Sequence, residues 1–270
     1  MGAATESQRA LLARLIEVLG EDERIESAWL SGSFGKGAGD AWSDVDVTAV
    51  VDEEDLPHCI REYGGAKTPV GDTVLIQTVH GRVVSAVRGD WERYDIVFVT
   101  PQEFRSQDRT KLRPLTLESL DLAAAPSPAE PRPYQPSVDA LEGAIREFLR
   151  VMGLLPVAIG REEWLVGVEG VGLLRKALIE MMFEANGIGR GQRGGAKAVN
   201  AYLTPAQRAA VEAAPLGGPS REAMIAANQA LAGLFLPLAR ETLAKAGGTW
   251  PQALEDATRA HLKRVLDLEF

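Results

Sequence analysis

Pro126, Pro128, Pro131, Pro133 and Pro136 crowd into one short stretch near the middle of the chain. Each removes a backbone donor and locks φ, so neither a helix nor a central strand can run through them. The chain must fold as two parts joined by an extended connector. The predicted organisation is a first domain at 1–122, a proline-rich linker at 123–136 and a second domain at 137–270.

The two parts differ in charge. With 270 residues, 46% apolar and 25% charged, the chain can bury ordinary cores. The net charge of −9 sits wholly in the first part, which holds 22 acidic and 13 basic residues; residues 137–270 hold 15 of each. That balance argues against general nucleic-acid binding, which needs a basic surface; the acidic excess serves solubility or, in a sharper reading, attracts divalent metal and a cationic partner. No uncharged apolar run of about 18 residues occurs, so no membrane span is expected. Glu6, Arg9, Arg14 and Glu17 interrupt the start, so no export signal is expected there either. The single cysteine, Cys59, excludes an internal disulfide framework. A cytoplasmic protein, monomer or homodimer, is the expectation.

In the first part, Thr5 and Gln8 have the spacing of a capping box ahead of Leu11, Leu12, Leu15, Ile16 and Leu19 at helical period. Residues 25–30 read as a strand and 31–40 as a glycine-rich turn. Residues 43–51 alternate at period two, with Asp44, Asp46 and Thr48 on one face and Val45, Val47, Ala49 and Val51 on the other. A helix is predicted over 52–63, a hairpin about His80-Gly81 and a strand over 91–99. Thr100-Pro101 opens a further helix with Glu103 at its third position. Beyond the linker only helical patterns occur, near 138–153, 162–186, 197–202, 205–214, 220–246 and 251–267. The predicted fold class is α+β: an N-terminal mixed-sheet domain followed by an all-α helical bundle.

The pattern that carries chemistry is Gly32-Ser33, then Asp44-Val-Asp46. Two aspartates at i and i+2 of a strand point to one side, and their oxygens suit magnesium. Glycines let backbone amides approach an anion, and Ser33 adds a hydroxyl donor. A phosphate-holding turn opposite metal-holding carboxylates is what phosphoryl transfer requires. A third carboxylate is expected on the 91–99 strand. Asp95 is the first candidate, as metal ligand or general base, with Glu92 and Asp90 as rivals; Glu92 is out of phase with Asp95 on a regular strand.

Gly32, Ser33, Asp44, Asp46 and Asp95, in that order, resemble the nucleotidyltransferase superfamily that includes DNA polymerase beta. The whole chain is similar to the antibiotic nucleotidyltransferases, the aminoglycoside adenylyltransferases and lincosamide nucleotidyltransferases. The second half adds Gly195-Ala-Lys-Ala-Val-Asn-Ala-Tyr-Leu203 and Trp250-Pro-Gln-Ala-Leu254. The resemblance implies an enzyme that moves a nucleoside monophosphate, AMP by first expectation, from ATP or another triphosphate to a hydroxyl of a small molecule. It implies two magnesium ions on Asp44 and Asp46, triphosphate on Gly32 and Ser33, Asp95 as third carboxylate, and an acceptor bound between the domains. A role in antibiotic resistance follows from it.

Lys36, Arg193 and Lys197 are candidate triphosphate contacts, the last two in a glycine-rich loop with Arg190. Trp42 stands beside the motif and is a candidate for the acceptor site. Arg175 or Lys176 is a candidate to face a cleft. His58, His80 and His261 have no metal-ligand spacing. Two other readings stay open: a nucleotidyltransferase acting on a protein or tRNA-related target, and a non-catalytic nucleotide-binding regulator.

Overall fold

The computed structural model describes residues 4–117, 134–189 and 199–270. The chain divides into two compact units, Met1–Glu130 and Pro131–Phe270. The first carries a mixed sheet and the second is helical, an α+β architecture.

In the first unit the elements run α1 (Glu6–Gly20), β1 (Ile25–Leu30), α2 (Gly32–Gly35), β2 (Val45–Val51), α3 (Leu56–Tyr63), β3 (Leu75–Val79), β4 (Val83–Val87), β5 (Arg93–Val99), α4 (Pro101–Arg105) and β6 (Arg113–Pro114). The strand order is β3-β4-β5-β2-β1-β6. Only β2 and β5 pair in parallel; the other neighbours are antiparallel. The strands expected over 43–51 and 91–99 thus meet side by side, linked through α3 and the β3–β4 hairpin. That hairpin turns through residues 80–82: His80 and Gly81 both lie at positive φ, 50° and 70°, and Arg82 N–H donates to the Val79 carbonyl at 3.2 Å. β6, two residues long, and the helical turn at 32–35 had no period to announce them.

One face of the sheet is apolar. Val45, Val47, Ala49 and Val51 of β2 and Tyr94, Ile96 and Phe98 of β5 form one core with Leu11, Leu12, Leu15 and Leu19 of α1 and Cys59 and Tyr63 of α3. Each fully buried aliphatic side chain contributes about 1.5–3 kcal/mol. On the other face, Phe104 of α4 packs with Val50 and Val99 at one end of the strands, with Trp29, Val97 and Leu112 at the patch edge. The capping boxes predicted at Thr5/Gln8 and Thr100/Glu103 are both formed.

At the far end of α1, Arg24 donates to both Asp22 oxygens and to Glu62 of α3, and the Tyr63 hydroxyl donates to Asp22 Oδ2 at 3.1 Å. Hydrogen bonding from Arg24 holds the Asp22 carboxyl below its ordinary value. Beside this cluster Cys59 is wholly buried, and burial pushes its thiol up to about 11.

In the second unit the helices are α5 (Val138–Gly153), α6 (Leu155–Gly160), α7 (Trp164–Ala185), α8 (Val199–Tyr202), α9 (Pro205–Ala213), α10 (Arg221–Lys245) and α11 (Gln252–Leu266). α6 was not anticipated: it is only six residues long and follows α5 directly, with Pro156 in its first turn. The rings of Phe148 and Phe235 stack at 3.8 Å in the centre. By length and composition α10 is apolar enough to cross a membrane. Here its Met224, Ala227, Leu231, Phe235, Ala239 and Leu243 are buried in the unit's core.

One carboxylate in this unit is nearly sealed. The Glu255 side chain is 2% exposed and accepts from Trp250 Nε1 at 2.7 Å, from Arg259 Nε at 2.8 Å and from Arg240. Arg240 and Arg259 keep about two fifths of their surface in water and lie over the rings of Trp250 and Phe270. Glu255→Ala would strand three donors on partners they cannot replace. The arginines stay hydrated, so the expected loss is about 2 kcal/mol, below the 3–5 kcal/mol of a fully buried pair. Urea unfolding followed through tryptophan fluorescence checks it.

The native Cys59 thiol titrates above the ordinary 9.0, so the folded state holds its proton longer than the unfolded one. Its contribution is intact below about pH 9 and is lost as pH rises through about 11. Thermal melts of the protein and of Cys59→Ala across that window should show the shallower alkaline slope in the variant.

Candidate active site

The open face of the sheet, away from α1 and α3, carries the predicted residues. In the β2–β5 register, Asp46 lies directly beside Asp95. Neighbours across a ladder share a face, so the two carboxylates stand one strand apart, about 5 Å, on the same side. Asp44 precedes β2 by one residue, and all three are half-buried. Among the described residues no hydrogen bond or ion pair engages the Asp95 carboxylate.

Glu92 goes elsewhere. It stands just before β5, and its carboxylate accepts from Thr5 Oγ1, the N-cap of α1, at 3.2 Å. Asp90 likewise accepts from Ser7 at 3.3 Å and sits in the exposed β4–β5 turn. Geometry therefore separates Asp95 from both rivals.

The Gly-Ser segment comes to the pair from β1. Ser31 N–H donates to the Asp46 carbonyl at 2.8 Å, which ties the turn to β2. Gly32 follows at φ +56°, and a Cβ there would sit 1.7 Å from Asp46 Oδ2. Only glycine lets the backbone lie against that carboxylate. Gly35 N–H donates back to the Ser31 carbonyl at 2.7 Å and closes one helical turn within the expected glycine-rich turn. The amides of Gly32, Ser33 and Phe34 open that turn and have no partner within it. Ser33 Oγ is buried and makes no hydrogen bond among the described residues. A buried hydroxyl without a partner is costly, and an oxygen-rich ligand would satisfy it.

A glutamine serves as a brace. Gln8 is 2% exposed. Its Oε1 closes the cap on Thr5 N at 2.7 Å, and its Nε2 donates to the carbonyls of Asp40 at 3.0 Å and Ser43 at 2.8 Å. One side chain thus secures the start of α1 and the segment that leads into Asp44. Sequence reasoning identified the cap but not the second duty, which links positions 35 residues apart.

The remaining candidates disperse. Lys36 ends α2 and is exposed. Arg190, Arg193 and Lys197 lie outside the described residues. Arg175 is structural: it donates to the carbonyls of Val211 and Ala214 at 2.7 Å, at the end of α9. Trp42 is 82% exposed two residues ahead of Asp44. Among the described residues no three His, Cys, Asp or Glu side chains converge as a metal cage. The expected triad is instead a register pair with Asp44 beside it. Magnesium commonly takes one or two protein carboxylates and completes its shell with phosphates and water, which fits such an open arrangement.

No family model matches this sequence, and no curated protein matches it. Among solved structures the chain is similar to an aminoglycoside 6-adenyltransferase from Bacillus subtilis at 14% identity, over 95% of this chain and 98% of that one, with a TM-score of 0.43.

The closeness of Gly32 to Asp46 gives a direct test. Gly32→Ala adds left-handed strain of about 1–2 kcal/mol and forces the Asp46 carboxylate to move. The expected outcome is a lowered melting temperature for the sheet unit, read by circular dichroism. A melt unchanged from the parent would show that the turn does not hold this contact.

Proposed function

We propose that this chain is a magnesium-dependent nucleotidyltransferase that transfers a nucleoside monophosphate, AMP from ATP by preference, to a hydroxyl of a small cationic acceptor. The observation that carries the reading is the row formed by Gly32, Asp46 and Asp95, with the orphaned Ser33 hydroxyl next to it. Like charges placed directly opposite on neighbouring strands repel, and a bound cation would relieve that repulsion. The donor set is all carboxylate oxygen, which suits magnesium over softer metals.

Asp44 and Asp46 would hold the metal, with Asp95 available as a further ligand. When bound, magnesium neutralises the triphosphate and polarises the reacting oxygens. Ser33 Oγ and the amides that open α2 donate to the phosphate oxygens. Asp95, unpaired and in register with Asp46, takes the proton of the acceptor hydroxyl. The bond from that oxygen to the α-phosphorus forms in line as the bond to the β-phosphate bridging oxygen breaks, and pyrophosphate leaves.

The acceptor is an aminoglycoside or a lincosamide. Both carry basic amines, and the excess of acidic residues in the first 122 positions favours a cation.

The test uses ATP labelled on its α-phosphate with magnesium and a panel of both antibiotic classes. Label should pass to an acceptor, with transfer reduced about 10³-fold or more in Asp46→Asn and about 10²–10⁴-fold in Asp95→Asn. Near-parent transfer by Asp46→Asn removes the mechanism.

A further inference from the structure

Asp46 and Asp95 are two members of a longer row. Ser85 of β4 is the register partner of Asp95, and Gln77 of β3 is the partner of Ser85. Four polar residues therefore lie side by side across β2, β5, β4 and β3, on one face. At a strand spacing of about 4.8 Å the row is roughly 14 Å long.

Its surroundings are unlike those of a plain solvated sheet face. On one side the neighbouring row on β3 and β4 is Leu75 and Val87; on the other it is Val79 and Val83. Leu75 is 50% exposed, Gln77 is exposed and Ser85 is half-buried. Polar positions would be scattered if solvation alone were at issue. On β3 and β4 the single polar row of this face is the one continuous with the carboxylates, while the flanking Leu75–Val87 row ends on β5 at Arg93. Among the described residues, no hydrogen bond engages the side chain of Ser85 or Gln77.

We infer that this row is the acceptor subsite, with Ser85 and Gln77 as specificity-determining residues. The inference rests on the nucleotidyltransferase reading and names the acceptor's shape. Asp95 receives the attacking hydroxyl. Ser85 Oγ and the Gln77 amide, each both donor and acceptor, bind the next polar groups along the molecule. The spacing of about 5 Å between stations is that of substituents across a six-membered ring, and the apolar borders receive ring faces. The ligand is a rigid polyhydroxylated or aminated ring compound, not an extended chain. An extended peptide would use the free edge of β3 instead and would not depend on Ser85.

The test measures binding and turnover separately on the full chain. Kanamycin, a linked set of aminated rings, and lincomycin are the probes, with Kd from isothermal titration calorimetry and KM from labelled transfer at saturating ATP. Ser85→Ala and Gln77→Leu should each weaken binding of a ring probe about 3- to 10-fold and raise its KM equally, with ATP affinity and melting temperature unchanged. A kanamycin or lincomycin analogue lacking one ring hydroxyl should lose affinity for the parent but not for the variant that has lost its partner. Magnesium-dependent ATP binding in the parent, with both variants within 1.5-fold of it for each probe, overturns the row and leaves the nucleotidyltransferase reading standing. Failure of the parent to bind ATP with magnesium overturns that reading and this inference with it. Binding of neither probe by a parent that binds ATP overturns the ring assignment.

Discussion

The parallel pairing of β2 with β5 is the constraint on which the site depends. It places two acidic residues from distant parts of the chain one strand apart, an arrangement that opposes itself by up to about 1 kcal/mol. The opposite face decides the contest. Val45, Val47 and Ala49 pair there with Tyr94, Ile96 and Phe98, and all six are sealed beneath α1 and α3. Slippage by one residue would turn that whole set towards water, at a cost of several buried side chains. The aliphatic face outweighs the repulsion and holds the aspartates in place whether or not a cation is present.

The turn from β1 completes the arrangement through closeness rather than charge. Gly32 brings the main chain to the Asp46 carboxylate, and the Ser31 amide binds the Asp46 carbonyl from the same side. The Ser33 hydroxyl is kept from water without a partner among the described residues. This is the pattern of a binding element shaped in advance, with the cost of ordering already met by the fold.

Much of this was legible in the sequence, and what was missed shares one physical origin. Alternation over residues 43–51 put Asp44 and Asp46 on one face, and Asp95 was the acid of the 91–99 strand that precedes an apolar run, with Glu92 and Asp90 as rivals. Proline and threonine spacing gave the caps at Thr5 and Thr100. Register between strands is a long-range property with no local signature, so the direct adjacency of Asp46 and Asp95 and the alignment of Ser85 and Gln77 with them could not be read. Ser85 did leave a trace, as the one polar residue in Val-Val-Ser-Ala-Val. β6 is held by pairing with β1 rather than by any period of its own. α2 owes its single helical turn to the Ser31–Gly35 bond, where glycine content suggested only a glycine-rich turn.

Gln8 joins the cap of the first helix to the strand that bears the acidic pair, and Thr5 and Ser7 tie the same helical turn to the β4–β5 bend. Thr5, Ser7 and Gln8 thus brace the sheet that carries the acidic pair. A fusion tag joined closely ahead of Thr5, or a truncation that removes it, would loosen the geometry around Asp44 from more than thirty positions away.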